Sequence, residues 1–439
     1  MRRRVIQATE GQPIVGLSAI DAADLQRARV RLQDRLRPTL SMFEDRATGI
    51  VPTNIVGTVG LNARTVVSIV PKVGEQEDWV AAALDLMVPE RASVAGHRRA
   101  SRSSAERSLE SGLAVIYRDR LERALRAEGP IEIMHAEFAQ SGSLDGEMDM
   151  ERWILDRPLR SFKFPVHRSV LDANNELTAA LSLAAVLLSR SVMDPSVRSA
   201  LIKLSRDIRP GLPNVETFDP SVVGRALPQQ WSRYGEAWSI AQVVLTSSGF
   251  TSRHGSLAGI EVALEPWRLL EELLDRTISA VVRLGRAQGL DWANRRHPTV
   301  ELLEADAPGQ GLLARLLTDR VAHPENLIVG SSGTVASFEA KYSRPSGPAA
   351  IRSHMYQLLT TASYAGAPCA VLVYPELAEP IHWRVTNRKT SVRDVYAIGL
   401  NLYGYSQHVG VESRASAVLE LIRDETANPR DIVRWDSSP

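Results

Sequence analysis

Apolar and polar residues alternate through "TVASFEAKYS" (334–343). This is the rhythm of a strand, in which successive side chains take opposite faces. Val335, Ser337, Glu339 and Lys341 therefore share one face, and Ala336, Phe338, Ala340 and Tyr342 share the other. Two more runs, "NLIVG" before it and "CAVLVYP" after it, have the length and residue types of strands. A helical pattern, "AIRSHMYQLLTTASYAG", separates the second strand from the third. Upstream, "PWRLLEELLDRTISAVVRLGRAQG" repeats apolar residues at spacings of three and four, with proline in its first turn. The order helix, strands, helix, strand predicts an α/β domain over 259–439, a mixed sheet with helices on its faces. "VTNRKTSVRDVYAIGLNLYG" adds further strands and "ASAVLELIRDE" a last helix.

The remainder divides into two patterns. Residues 1–150 read as a β-rich domain. An early helix, "DAADLQRARVRLQDRLRPTL", starts at an aspartate cap and stops near Pro38. The runs "NIVGTVGL" and "TVVSIV" follow as a hairpin that Pro71 closes. A helical stretch and then strands, with "PLRSFKFPVHRSV", lead toward residue 175. Residues 151–258 read as a helical middle region, with helices over 175–190 and Pro195–Asp207 and more helix to Ser248. The turn-rich "SSGFTSRHGSLAG" (247–259) is the expected boundary before the last domain.

Composition narrows the function. A chain of 439 residues has room for two or three cores. The net charge of +1 gives no global basic field, so any nucleic-acid surface must be local. The single cysteine, Cys369, excludes an internal disulfide and a cysteine-ligated zinc cluster, and it suits a reducing cytoplasm. The start "MRRRVIQATEG" lacks the apolar core of a signal peptide. The most apolar run, 177–190, is too short to span a bilayer, so no membrane partner is expected. There is no GxxxxGK[ST] loop for nucleotide phosphates, no HxxxH or HxH pair for zinc and no GxSxG elbow.

Chemistry gathers around Glu339. Glu325 opens the "NLIVG" run 14 residues earlier, and "GSSGT" is a short hairpin connection. Antiparallel pairing brings the two glutamates together beside Lys341. Two carboxylates next to an ammonium suit Mg²⁺, which takes a few carboxylate oxygens and keeps water and phosphate as its other ligands. The ion activates water, and the lysine orients that water or stabilises charge on phosphorus. On the following helix, Gln357 and Tyr364 lie on one face; on the preceding one, Glu271 and Asp275 lie at i and i+4, and either extends the site. The plain alternative for Glu339 and Lys341 is a surface ion pair, with Glu325 and Glu339 pointing apart. The arginine-rich stretch 90–126 reads either as a solvated face or as a phosphate- or partner-contacting patch.

These residues, P-E followed by E-A-K, resemble the PD-(D/E)xK nucleases, whose RecB-like members also carry a glutamine and a tyrosine on the equivalent helix. Blocks spread over residues 45–375 resemble the McrC family, the nuclease subunits of McrBC-type modification-dependent restriction systems. They are the hairpin ending in Pro71-Lys72, the helix opened by Asn175 in "LDANNELTAALSLAAVLL", "LLEELLDRTISAVV", and the ordered set "HPENLIV", "FEAKY", "MYQLL", "SYAG" and "AVLVYP". The resemblance implies a C-terminal PD-(D/E)xK restriction-endonuclease-like domain that cuts double-stranded DNA. It implies an N-terminal domain that docks on a McrB-like AAA+ NTPase ring, a GTPase in the family, and stimulates it. Glu325, Glu339, the Ala340 carbonyl and Asp275, which matches a family glutamate, then hold Mg²⁺, for which Mn²⁺ is an acceptable substitute. Lys341 and Gln357 complete the catalytic set. Position and charge suggest Arg98 and Arg99 as partner contacts. The family more often has aspartate where this chain has Glu325 and Glu339, and the extra methylene carries the oxygen roughly 1 Å farther. Asp319 is a fallback ligand. A nuclease-inactive adaptor that only activates the NTPase is the alternative function.

Overall fold

The computed structural model describes residues 4–36, 38, 40–62, 65–73, 79–87, 109–156, 163–192, 194–212, 219–247, 263–301, 321–344, 348–377, 379–386, 389–404 and 409–423. They fall into two compact units. One holds the described residues of Met1–Met87 and Ala263–Pro439, the other those of Ala100–Val262.

The first unit begins with β1 (Arg4–Thr9), α1 (Ala19–Leu36), a small hairpin of β2 (Phe43–Arg46) and β3 (Gly49–Pro52), then β4 (Val56–Gly60), β5 (Thr65–Val70) and α2 (Trp79–Met87). β4 and β5 form the expected antiparallel hairpin, and β1 adds to β5 in parallel. Leu25 and Leu32 of α1 bury against Ile6, Val59, Val67 and Ile69 of this sheet.

The second unit contains α3 (Leu109–Glu128), β6 (Ile133–Ser141), β7 (Glu147–Met148), α4 (Met150–Asp156), β8 (Phe164–Asp172), α5 (Glu176–Ser191), α6 (Pro195–Asp207) and α7 (Gly235–Ser247). α5 is its central helix, packed against α3, α6 and α7. Asn175 starts it with a capping box: its Oδ1 accepts from Thr178 N at 3.0 Å, and its own N–H donates to Thr178 Oγ1 at 3.4 Å. The asparagine that resembles the family's is therefore a cap.

The chain then returns to the first unit through β9 (Ala263–Leu264), α8 (Pro266–Ala287), β10 (Trp292–Arg296), β11 (Val300–Glu301), β12 (Val321–Ala322), β13 (Asn326–Gly330), β14 (Gly333–Ala340), α9 (Pro348–Tyr364), β15 (Cys369–Tyr374), β16 (Ile381–Arg384), β17 (Asp394–Gly399) and α10 (Val409–Arg423). Six strands form the main sheet in the order β10-β13-β14-β15-β17-β16. β14, β15 and β17 run parallel, and the outer pairings are antiparallel. β15 is buried along its whole length, as a central strand covered on both faces must be. α9 connects β14 to β15 and packs on both, with Leu358 and Ala362 against Ala370 and Leu372. β10 and β16 are edge strands and carry Arg295, Arg296, His382 and Arg384.

The expected mixed α/β sheet flanked by helices is present. The division of the chain differs from three consecutive segments at 150 and 258, for two reasons. β6 and β8 pair along nine residues, so a border at 150 would cut a sheet. β9 pairs with β4, which returns residue 263 onward to the N-terminal sheet. Residues 248–262 lie outside the described set. Among the described residues, no helix is long and apolar enough to cross a membrane.

Candidate functional site

The site lies where β13, β14, β10 and the helices α8 and α9 converge. β13 and β14 are antiparallel, and their pairing closes at Asn326 and Phe338. One step beyond that pair, the register sets Glu325 opposite Glu339. The irregularity between Ile328 and Val329 shifts the pairing by one residue and makes this so, since the glycine turn alone would set Glu325 against Phe338. The turn between them is short because Gly330 and Gly333 already face each other, and Gly333 takes a φ of +122° that a side chain would resist.

Glu339 is 4% exposed. Its Oε1 accepts from Lys341 Nζ at 2.7 Å and from Gln357 Nε2 at 2.8 Å. Lys341 Nζ also donates to Gln357 Oε1 at 2.9 Å. One orientation of the amide serves both charges, with its oxygen toward the ammonium and its nitrogen toward the carboxylate. Both donors fall on Oε1, and among the described residues none reaches Glu339 Oε2. Lys341 N donates to Val373 O at 2.8 Å, toward β15. A trans peptide directs its carbonyl opposite its N–H, so the Ala340 carbonyl points away from β15, toward the side of Glu325.

Two residues join this set: Glu271, one of the two α8 carboxylates expected to extend the site, and His297, to which the sequence pattern gave no role. Donor atoms of Glu271 on α8, His297 just after β10, and Glu325 all lie within 4.8 Å of one another. Burial, then the charges of Glu271 and Glu339, push the Glu325 carboxyl up to about 8, and Lys341 opposes this only in part. Burial also raises Glu271. The two carboxyls face each other, so that burial and their mutual charge favour a proton held between them. His297 Nδ1 is 3.1 Å from Glu325 Oε2. That contact lacks hydrogen-bond alignment, so this buried oxygen has no donor. Burial and the neighbouring Arg296 hold the His297 imidazole below its usual range, in the neutral form.

Asp275 is not part of this group, contrary to the expectation that it is a metal ligand. Its Oδ1 accepts from Asn294 Nδ2 and Asn326 Nδ2, each at 2.9 Å, and its Oδ2 lies 3.6 Å from Arg296 Nη1. One turn earlier on α8, Glu271 faces Glu325 instead. Glu272 is taken by Arg276 at 3.0 Å and Arg296 at 3.4 Å. Tyr364 is 55% exposed at the end of α9 and takes no part. Arg98, Arg99 and Asp319 lie outside the described residues.

The donor set fits a divalent cation. Glu271, Glu325 and Glu339 converge with one buried oxygen left without a donor and one proton retained, and a cation relieves both conditions. The reading as a surface ion pair fails on the same facts, since Glu339 is buried and the glutamates converge.

Fold and site thus define an α/β protein whose mixed sheet gathers three carboxylates, an imidazole and a lysine at one end. The model of the family described as McrBC 5-methylcytosine restriction system component matches residues 50–375, and the chain belongs to this family, as its resemblance to McrC implies. Two solved structures share the fold. One is a chain of the refined half-complex from the tetradecameric assembly of Thermococcus gammatolerans McrB AAA+ hexamers with bound McrC. It has a TM-score of 0.69 and 13% identity, over 95% of this chain and all of that one. The other belongs to the Thermococcus gammatolerans McrBC complex, with a TM-score of 0.50 and 15% identity over 63% of this chain and 88% of that one. No curated protein matches the sequence significantly.

Proposed function

We propose that the chain is the DNA-cutting subunit of a McrBC-type restriction system, a cytoplasmic, metal-dependent endonuclease of the PD-(D/E)xK class. The observation that carries this reading is the clamp of Glu339, Lys341 and Gln357 beside Glu325. A surface ion pair has no use for a buried carboxylate held by both an ammonium and an amide. Glu325, Glu339 and the Ala340 carbonyl would hold Mg²⁺ or Mn²⁺, with Glu271 in the place expected for Asp275. When bound, the ion supplies an activated water and neutralises charge on the scissile phosphate. Lys341, fixed from two sides, presents its remaining N–H to the attacking water or to a non-bridging phosphate oxygen. Gln357 is a positioning residue: it holds Lys341 and Glu339 at their mutual distance. Glu325 keeps its proton near neutral pH until a cation arrives, so the carboxylates do not repel one another in the free protein.

Partner docking belongs to the same proposal. The neighbours' descriptions pair McrC with McrB AAA+ hexamers, and this chain would dock on such a ring. In the second unit, Met134 and Leu171 face each other across the β6–β8 pairing and are 64% and 57% exposed. Ile154 and Leu155 of α4 are exposed as well. These exposed apolar residues are the ones this proposal assigns to docking, since apolar side chains gathered into a patch mark interaction sites.

The test is cleavage of double-stranded DNA by the chain co-expressed with its AAA+ partner, with Mg²⁺ or Mn²⁺, beside Lys341→Ala. The variant is expected to cut about 10²–10³-fold more slowly while still stimulating the NTPase. A wild-type chain that stimulates the NTPase and never cuts DNA would hand the function to the adaptor reading, which glutamate at position 325 favours.

A further inference from the structure

The expected ligands of this site are all oxygens, and His297 changes that chemistry. Its position is built. The backbone takes a φ of +43°, in the left-handed region that non-glycine residues seldom occupy, and His297 N donates to Glu325 O at 2.9 Å. The turn thereby fixes the imidazole to the strand that bears Glu325. The adjacent Arg296 is directed elsewhere, to Glu272 and Asp275. A histidine that served only as a hydrogen-bond donor would satisfy Glu325 Oε2. Instead Nδ1 comes to 3.1 Å and leaves that buried oxygen without a donor. The imidazole side chain is 46% exposed, so a solvated ion can reach it.

We propose that His297 is a metal ligand, so that the site takes a first-row transition ion, Mn²⁺ above all, through one nitrogen and the oxygens of Glu271 and Glu325. This reverses the preference for Mg²⁺, which demands near-ideal octahedral oxygen coordination. Imidazole suits transition ions, and the carboxylates suit Mn²⁺ as well. The inference rests on the reading of the site as metal-dependent, and it adds which ion the chain selects and through which atom.

The experiment uses the full chain with MnCl₂ alone, without DNA or nucleotide. Electron spin-echo envelope modulation of the bound Mn²⁺ should show coupling to a directly ligating ¹⁴N in the wild type. The coupling should persist in His323→Gln, which removes the neighbouring imidazole outside the ligand cluster, and vanish in His297→Gln. The Kd for Mn²⁺, from the EPR signal of the free ion, should rise about 10-fold or more in His297→Gln, a typical cost of perturbing a metal's surroundings. The Kd for Mg²⁺, by competition, should change far less. Bound Mn²⁺ without nitrogen coupling in the wild type overturns the inference and leaves a carboxylate metal site standing; this measurement needs no variant to fold. Equal losses of Mn²⁺ and Mg²⁺ in His297→Gln overturn it too. If the wild type binds neither ion and Glu325→Gln matches it, the metal-dependent reading fails and this inference fails with it.

Discussion

Glu325 carries a proton that its surroundings impose. Its carboxyl is pushed from the usual 4.5 up to about 8 by burial and by two neighbouring carboxylates. The unfolded chain releases this proton near 4.5, whereas the ion-free folded chain keeps it to about 8. Between these values the folded state binds more protons, so its stability falls as pH rises through the window. A divalent cation binds the ionised form and opposes that loss. The rise in Tm on adding Mn²⁺ should therefore grow from pH 6 toward about pH 8 and level off above it. Thermal unfolding with and without the ion checks this, and an ion effect flat across the window would refute the assigned proton. Asp275 makes the opposite prediction. Asp275→Ala strips the acceptor from the amides of Asn294 and the buried Asn326, and should cost about 1–3 kcal/mol in denaturant unfolding. It should leave Mn²⁺ affinity nearly unchanged, whereas Glu271→Ala should weaken it. Periodicity could not choose between these two residues. They lie one turn apart on one stripe of α8, and only the placement of β10 and β13 shows which faces Glu325. His297 was hidden for a related reason: "RRHP" reads as a basic turn, and a left-handed residue has no sequence pattern to betray where it points.

At the scale of elements, β14 is anchored on both sides of its active end. Lys341 turns to Glu339 and Gln357, while Tyr342, on the other face, reaches the N-terminal sheet. Tyr342 OH donates to Glu10 Oε2 at 3.1 Å and lies 3.1 Å from Tyr403 OH. Lys72 Nζ sits 3.2 Å from Glu10 Oε1 and 5.1 Å from the Tyr342 ring centroid. Glu10 is 1% exposed, and burial raises its carboxyl against the pull of Lys72. The Pro71-Lys72 pair, legible as a strand terminus and a point of family resemblance, thus has a physical role that only the tertiary structure reveals. Lys72→Met leaves Glu10 buried without its cation and should cost about 1–3 kcal/mol, and adding Glu10→Gln should recover most of it. A double-mutant cycle in urea measures the coupling; strictly additive losses would mean that the pair does not hold the two elements together. That β13 and β14 form a hairpin was readable from the short glycine turn, whereas the one-residue shift between Ile328 and Val329 that brings Glu325 opposite Glu339 was not. Nor were β10 and β16, since edge strands this short and charged lack the apolar run that marks β15.

At the scale of the whole molecule, every site residue described belongs to the first unit, and the exposed apolar residues of β6, β8 and α4 belong to the second. The chain leaves the first unit after α2 and returns to it at β9, so the second unit is an insertion rather than a terminal extension. This topology predicts that the two activities can be lost separately. Met134→Thr with Leu171→Thr changes one exposed cross-strand pair and should alter stability by no more than about 0.5 kcal/mol. The variant should still bind Mn²⁺ with wild-type affinity, yet fail to co-elute with the AAA+ partner or to stimulate its nucleotide hydrolysis. Lys341→Ala should do the reverse, with docking and stimulation intact and DNA uncut. Measured side by side, the two variants distinguish a nuclease that needs its motor from an adaptor with a vestigial site. Were the threonine pair to stimulate the NTPase as the wild type does, the docking face would have to be sought elsewhere on the chain. If it also cut DNA normally, the division of labour between the two units would fall, while the metal centre would keep the support it draws from its own geometry.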